Sequence, residues 1–500
     1  MRREHIHYIG RYMVVGNGTR RYAVEKIALP GIFVISLLAA WLVIMSRSGI
    51  RLTAPIELSR SGLSVSMPSG NGWWCEGKWM YDGDSFAVSS IFSVRPNALR
   101  WLDRARRRLH WGRDWLGGTG LSYARCRYLL ASRDAAVQER FAAQASGLDG
   151  EVVETGQTSV GQIVVDWARI KGDAGGAAFE TILGVCGLPA GRGLEIEVLQ
   201  TADEQGLAQN IFERIVKSIR LGDNGLLQAG AQLVSEAKSA GLGSSTSLTA
   251  GGTGIDGQPI FFVLSDARGQ AIGFTMDAMV VQAEKEPAIK AASYYYLRGP
   301  VPDEEVGLFR GDSAFERFGW RVEGSSGTGV KGVEITGRDG AMTVRKSTSM
   351  ISVESGEDAN GSEYVLGEAA VPDIVLEPVL RRMLDGDRQE IIIDVIRSDG
   401  TIVPAYIEKT GRVPRPFDST QGGIGSGQAD NNSIRMEVLD GRGHWQQIYY
   451  DNDKQPTKIL LGQDGTYTLM RADANEIAEK FPERADLVFN QGRLLDREEL

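Results

Sequence analysis

Short runs in which apolar and polar residues alternate cover most of this chain and set its expected architecture. Leu63, Val65 and Met67 stand every second residue before a turn at 68–72. Leu194, Ile196 and Val198 alternate with Glu195 and Glu197, as half-buried strands do. Further strands fit 85–94 and 162–171. From Asp203 to Ile219 the spacing changes, with Leu207, Ile211, Ile215 and Ile219 four apart, which predicts an amphipathic helix capped by Asp203 and closing this first unit. Residues 223–258 hold a short helix candidate, Leu226 to Ala240, and then a Gly/Ser/Thr-rich stretch at 241–254 that reads as a linker.

Beyond the linker the pattern turns strongly β. Alternating or aromatic runs occur at 259–264, 271–281, 292–297, 332–336, 341–346, 390–396, 402–407, 434–439, 445–450, 458–461 and 466–470. Asp-Gly pairs at 339–340, 399–400, 440–441 and 464–465 supply the positive φ of tight hairpin turns, so neighbouring runs should pair antiparallel. One helix candidate, Pro372 to Leu384, could cover a sheet face with Ile374, Val375, Val379 and Met383. A second break, 415–433, is rich in Gly, Asn and Ser.

Ahead of these units, Ile27 to Met45 runs nineteen residues without a charge, the length that crosses a bilayer's hydrocarbon core. A buried helix would show a polar face, and a cleaved signal peptide would have a shorter apolar region, so an uncleaved signal-anchor is expected. Residues 1–26 carry a net charge of +4, which predicts a cytoplasmic tail and the remaining chain outside the inner membrane. The expected fold class is therefore α+β: a basic tail (1–26), a single transmembrane helix (27–46), an α+β domain (58–222), a linker (223–258), an antiparallel β domain (259–481) and a tail (482–500).

Five hundred residues, 42% hydrophobic and 24% charged, suit several globular units rather than a disordered or polytopic chain. The net charge of −9 argues against nucleic acid as a partner, because an acidic surface repels phosphate. Cys75, Cys126 and Cys186 allow at most one internal disulfide and sit in apolar surroundings, so they read as buried hydrophobes.

The first unit resembles the PsbP-like fold: an opening strand into a proline and tryptophan turn (Leu63 to Pro68, then Gly72-Trp73), late strands, and a final helix ending Phe212 to Ile219. That resemblance implies a binding or accessory module and transfers no functional residue. An acidic, curved sheet with a covering helix over about 226–481 resembles the unclosed β-barrel of the LolA and LppX type, which implies carriage of a lipid.

Candidate chemistry is sparse. Ser235-x-x-Lys238 and Lys409-Thr-Gly411 match two serine β-lactamase motifs, but no Ser-Asp-Asn joins them. Of four histidines only His110 and His444 follow the apolar span, which leaves little for a zinc site or a catalytic triad, and no cofactor is expected. The Gly-rich stretches 324–329 and 422–427 lack the strand and helix that a phosphate loop needs. One segment stands out: residues 97–116 form a candidate helix of net charge +4, in which Trp101, Arg104, Arg106, Arg107, Arg108, Trp111 and Trp115 suit anionic lipid headgroups or an acidic protein surface.

The sequence thus predicts a membrane-anchored envelope protein acting as a non-enzymatic binding or scaffold module. The alternative is a carrier of lipid or another apolar ligand, with a pocket lined by Tyr294, Tyr295, Tyr296, Phe318 and Trp320 under the 372–384 helix. A serine hydrolase using Ser235 is the remote third reading.

Overall fold

A computed structural model describes Ser36 and residues 51–70, 73–92, 122–130, 137–174, 177–201, 207–222, 224–239, 259–282, 288–312, 315–326, 329–338, 341–349, 362–410, 432–462 and 466–490. Two large antiparallel sheets dominate it.

The first sheet has eight strands. Along its main path run Trp73–Cys75, Ser85–Phe92, Tyr123–Leu129, Arg192–Thr201, Ala177–Leu188, Ile163–Ala174 and Gly150–Val160, and Met80–Tyr81 pairs off the path with Ser85–Phe92. The alternation in 194–198 is realised: Leu194, Ile196 and Val198 are fully buried, and Glu195 and Glu197 face the other side. Helix Leu207–Ser218 crosses the inner face with Ala208, Ile211, Phe212, Ile215 and Val216 buried. Gly184 makes room for it, since a Cβ there would lie 2.6 Å from the Phe212 ring. Helix Val137–Gly147 packs Phe141 on the opposite face, against Ala168, Leu183 and Val185.

The second sheet has fifteen strands, running in space from Ser362–Val365 through Ala341–Ser349 and back along the chain to Ile260–Ser265, then from Tyr467–Ala472 back to Glu390–Ile396 and Ala370–Pro372. Every pairing is antiparallel except the last, Ala370–Pro372 with Glu390–Ile396. Its two edge strands are neighbours in sequence. Val365 and Ala370 are five residues apart, a reach of about 18 Å at full extension, so the sheet must curl until its edges nearly meet. Contact between the ends agrees with this: a Cβ on Gly400, in the turn before Ile402–Thr410, would fall 2.4 Å from Val344 in Ala341–Ser349. The result is an unclosed barrel. Helix Leu376–Asp385, entered through a 3₁₀ turn at Asp373–Val375, lies over it with Leu376, Val379, Leu380 and Met383 buried.

The two sheets share one core. Helix Gly225–Ser239 packs Leu233, Val234 and Ala237 into it, and a Cβ on Gly230 would lie only 1.9 Å from the Ile392 carbonyl. The helix expected within a linker is therefore a packed element, tied also by Arg388 to Glu236 at 2.7 Å. Between the sheets, Arg192 meets Asp394 at 2.6 Å with both side chains almost fully buried.

The α+β fold class is corrected to mainly β. Strands Gly150–Val160, Ala177–Leu188, Asp303–Asp312 and Arg317–Ser326 extend the sheets, and the described helices are short covers on them. Among the described residues no helix is long and apolar enough to cross a membrane, so the single N-terminal transmembrane helix of the expected fold class is not part of the described fold. The segment assigned to that helix, Ile27 to Met45, lies outside the described residues apart from Ser36.

Candidate functional site

A cavity of about 330 Å³ opens between the concave face of the fifteen-stranded sheet and the covering helix, a size within the range of small-molecule sites. Pairing register decides which residues reach it. Ile260 pairs with Asp277, Asp277 with Ser293, and Ser293 with Gly307, forming one row across four strands. The adjacent row on the same face runs from Met279 through Ala291 and Phe309 to Trp320. Two residues along in the other direction stand Phe262, Thr275, Tyr295 and Glu305. The alternation of strand side chains sends all three rows to one face.

Ile260, Phe262, Met279, Ile374, Pro378 and Ile459 supply the apolar walls. The polar lining is acidic: Asp277 and Glu305 from the sheet, Asp373 and Glu377 from the covering segment, with Arg381 beside them. Arg381 Nε donates to Glu377 Oε1 at 2.9 Å and its NH2 donates to Gln455 Oε1 at 3.1 Å, while Tyr450 OH donates to Glu377 Oε2 at 3.2 Å.

Burial raises the Asp277 carboxyl to about 7, helped by the charges of Asp373 and Glu377. Asp373 is raised by burial against the pull of Arg397, and Glu377 is raised by burial against the pull of Arg381 and Tyr450. Although they lie deep among protein atoms, Asp277 and Asp373 keep exposed side chains because they open onto the cavity. Water there offsets part of the burial, and an apolar occupant would restore it.

Of the aromatic residues expected to line a pocket, Trp320 does so. Tyr294 and Tyr296 point to the other face of the sheet, where they pack around Phe274 and Phe481 beneath helix Ala474–Lys480. Tyr295 belongs to a separate cluster with Phe262 and Leu264. Phe318 stacks on Phe309 with ring centroids 5.6 Å apart in the main core. Asp277, Gly307, Asp373 and Glu377 were not anticipated. The available signal was Asp277 interrupting the apolar run 271–281, a polar residue on a strand face with little reason to be dry.

Among the other sequence candidates, Ser235 is exposed on its helix, and the Lys409 ammonium donates to the backbone carbonyls of Leu384 and Gly386. Trp101, Arg104, Arg106, Arg107, Arg108, Trp111 and Trp115 all lie outside the described residues. Cys75, Cys126 and Cys186 are free thiols, the last two buried.

No family model and no curated protein matches this chain. Among solved structures, a β-barrel-like protein of a domain of unknown function from Brucella abortus is similar at 8% identity and a TM-score of 0.30, covering 43% of this chain and 93% of its own. LpqN of Mycobacterium tuberculosis, described as involved in cell envelope biogenesis, is similar at 10% identity and a TM-score of 0.22, covering 35% and 92%. A protein of Bacteroides thetaiotaomicron is similar at 11% identity and a TM-score of 0.21, covering 37% and 60%. These values are too low to carry a functional argument, and the PsbP-like resemblance draws no support from these structures.

Proposed function

We propose that this protein is a binding module that holds an apolar or amphiphilic ligand in the cavity between its unclosed barrel and the covering helix. The observation that carries the reading is the cavity itself: a sheet curled almost to closure, with an amphipathic helix across it, leaves about 330 Å³ unfilled between apolar walls. Protein interiors are otherwise packed to near-crystalline density, so a space of this size at a helix–sheet junction is a built feature.

Burying each methylene of a ligand contributes about 0.8 kcal/mol, which corresponds to roughly fourfold in affinity. Straight-chain alcohols titrated into the full chain should therefore tighten about fourfold per methylene until the cavity is full, then level off. Ser293→Phe, which puts a ring into the cavity, should abolish this gain. Native mass spectrometry of the chain purified without stripping detergent should show a stoichiometric small molecule. Affinity independent of chain length, with no co-purifying molecule, would leave a scaffold that works through its surfaces.

A further inference from the structure

The acidic end of the cavity is assembled from separate elements, with Asp277 and Glu305 on two sheet strands and Asp373 and Glu377 on the covering segment. Arg381, the cation in the lining, is already engaged by Glu377 and Gln455. Among the described residues, Asp277, Glu305 and Asp373 enter no ion pair, so once these carboxyls are ionised the cavity presents a net negative field.

An independent feature lies beside this cluster. Trp320 is 3% exposed, and its indole Nε1–H makes no hydrogen bond. Such an unmade bond is costly for a buried donor. The donor lies beside Gly307, where the Ser293 hydroxyl comes so close that an added Cβ would be 2.5 Å from Ser293 Oγ and 3.3 Å from Trp320 Nε1. Ser293 and Trp320 both line the cavity, so an acceptor oxygen reaching that end of it can take hydrogen bonds from the hydroxyl and the indole together.

Resting on the cavity reading above, we propose that the ligand is an amphiphile whose head joins a cation to a neighbouring hydrogen-bond acceptor oxygen. The cation lies at Asp277 and Asp373, the oxygen at the end of the cavity lined by Ser293 and Trp320, and the chain along Phe262, Met279 and Ile459. Fatty-acid anions are disfavoured because their charge would face three carboxylates at close range.

The groups facing Asp277 are Asp373, Glu377 with its partner Arg381, and Glu305, while Arg397 acts on Asp373. With Asp277 raised to about 7 by burial and then by Asp373 and Glu377, cation binding should strengthen from pH 6 to pH 8 as that carboxyl loses its proton.

The test is calorimetric titration of the full chain with four probes of equal chain length below their micellar concentrations: lauroylcholine, dodecyltrimethylammonium, dodecanol and dodecanesulfonate. Lauroylcholine should bind roughly tenfold tighter than dodecyltrimethylammonium, which lacks the acceptor, and both should outrank the sulfonate by at least as much. Trp320→Phe should bring lauroylcholine down to the level of dodecyltrimethylammonium. Asp277→Asn should weaken both cations at pH 8, and Asp277→Glu should retain their preference, which separates loss of charge from loss of fold. Equal or tighter binding of dodecanol or the sulfonate overturns the head-group assignment and leaves the cavity reading standing. Failure of all four probes to bind overturns the cavity reading as well.

Discussion

Replacing Asp394 by Asn tests whether the two sheets share a single buried polar joint. Arg192 and Asp394 are 2% and 1% exposed, and Arg192 NH2 reaches Asp394 Oδ1 at 2.6 Å. Burial opposes the charge on Arg192 but the Asp394 carboxylate outweighs it, whereas at Asp394 burial outweighs the pull of Arg192. Those two tendencies conflict. A guanidinium does not give up its proton in proteins, and a 2.6 Å contact to it holds the carboxylate ionised. Without that carboxylate, the guanidinium keeps the Leu130 carbonyl at 3.2 Å and the Tyr128 ring at 5.7 Å, neither of which offsets a buried charge. Breaking such a pair costs about 3–5 kcal/mol. With a urea m-value of about 3 kcal/mol/M, the unfolding midpoint should fall by roughly 1–1.7 M, followed by tryptophan fluorescence. Arg192→Met combined with Asp394→Leu should recover much of the loss, since apolar replacements leave no unpaired charge. A loss below about 1 kcal/mol for Asp394→Asn would refute the dry joint and with it the tight docking of the sheets.

Two further outcomes follow from the titrating groups. Asp277 has a folded pKa raised above its unfolded value of about 3.9, so the folded state binds its proton more tightly. Its contribution is then full at low pH and is lost as pH rises toward about 7. Asp277→Asn should therefore stabilise the ligand-free protein more at pH 8 than at pH 5 in thermal unfolding, and equal stabilisation at both would show that the carboxyl is fully hydrated. Burial pushes the Cys186 thiol up to about 12 and the Cys126 thiol higher still, whereas Cys75 is half-buried. A thiol reagent should modify Cys75 quickly in the native protein and all three only after unfolding; rapid reaction of two or more would mean that the first sheet opens readily.

Much of the β architecture was legible because strand alternation is local. The buried trio Leu194, Ile196 and Val198 and the helical spacing of Ile211 and Ile215 appear in the sequence as they appear in the core. The Asp-Gly pairs at 399–400 and 440–441 likewise stand at turns, with Gly400 at φ 76° and Gly441 at φ 77°. Strand Asp303–Asp312 was missed because acidic residues and glycines interrupt its apolar alternation, and Arg317–Ser326 was missed although Phe318, Trp320 and Val322 alternate with Arg317, Gly319, Arg321 and Glu323. Glu305 stands on the face that farther along carries Phe309, because at its end that face looks into the cavity rather than into the packed core.

What the sequence by itself determined was the local period: where strands and helices lie and which side of each is apolar. Period 2 and period 3.6 are properties of neighbouring residues and need no partner. The tertiary structure alone decided that fifteen strands curl until Val365 and Ala370 lie at opposite edges of one sheet yet five residues apart. It also decided that Asp277, Ser293 and Gly307 fall in one row beneath Asp373 and Glu377. Those meetings depend on pairing register and sheet curvature, which sum small twists over many strands, and no short stretch of sequence encodes that sum.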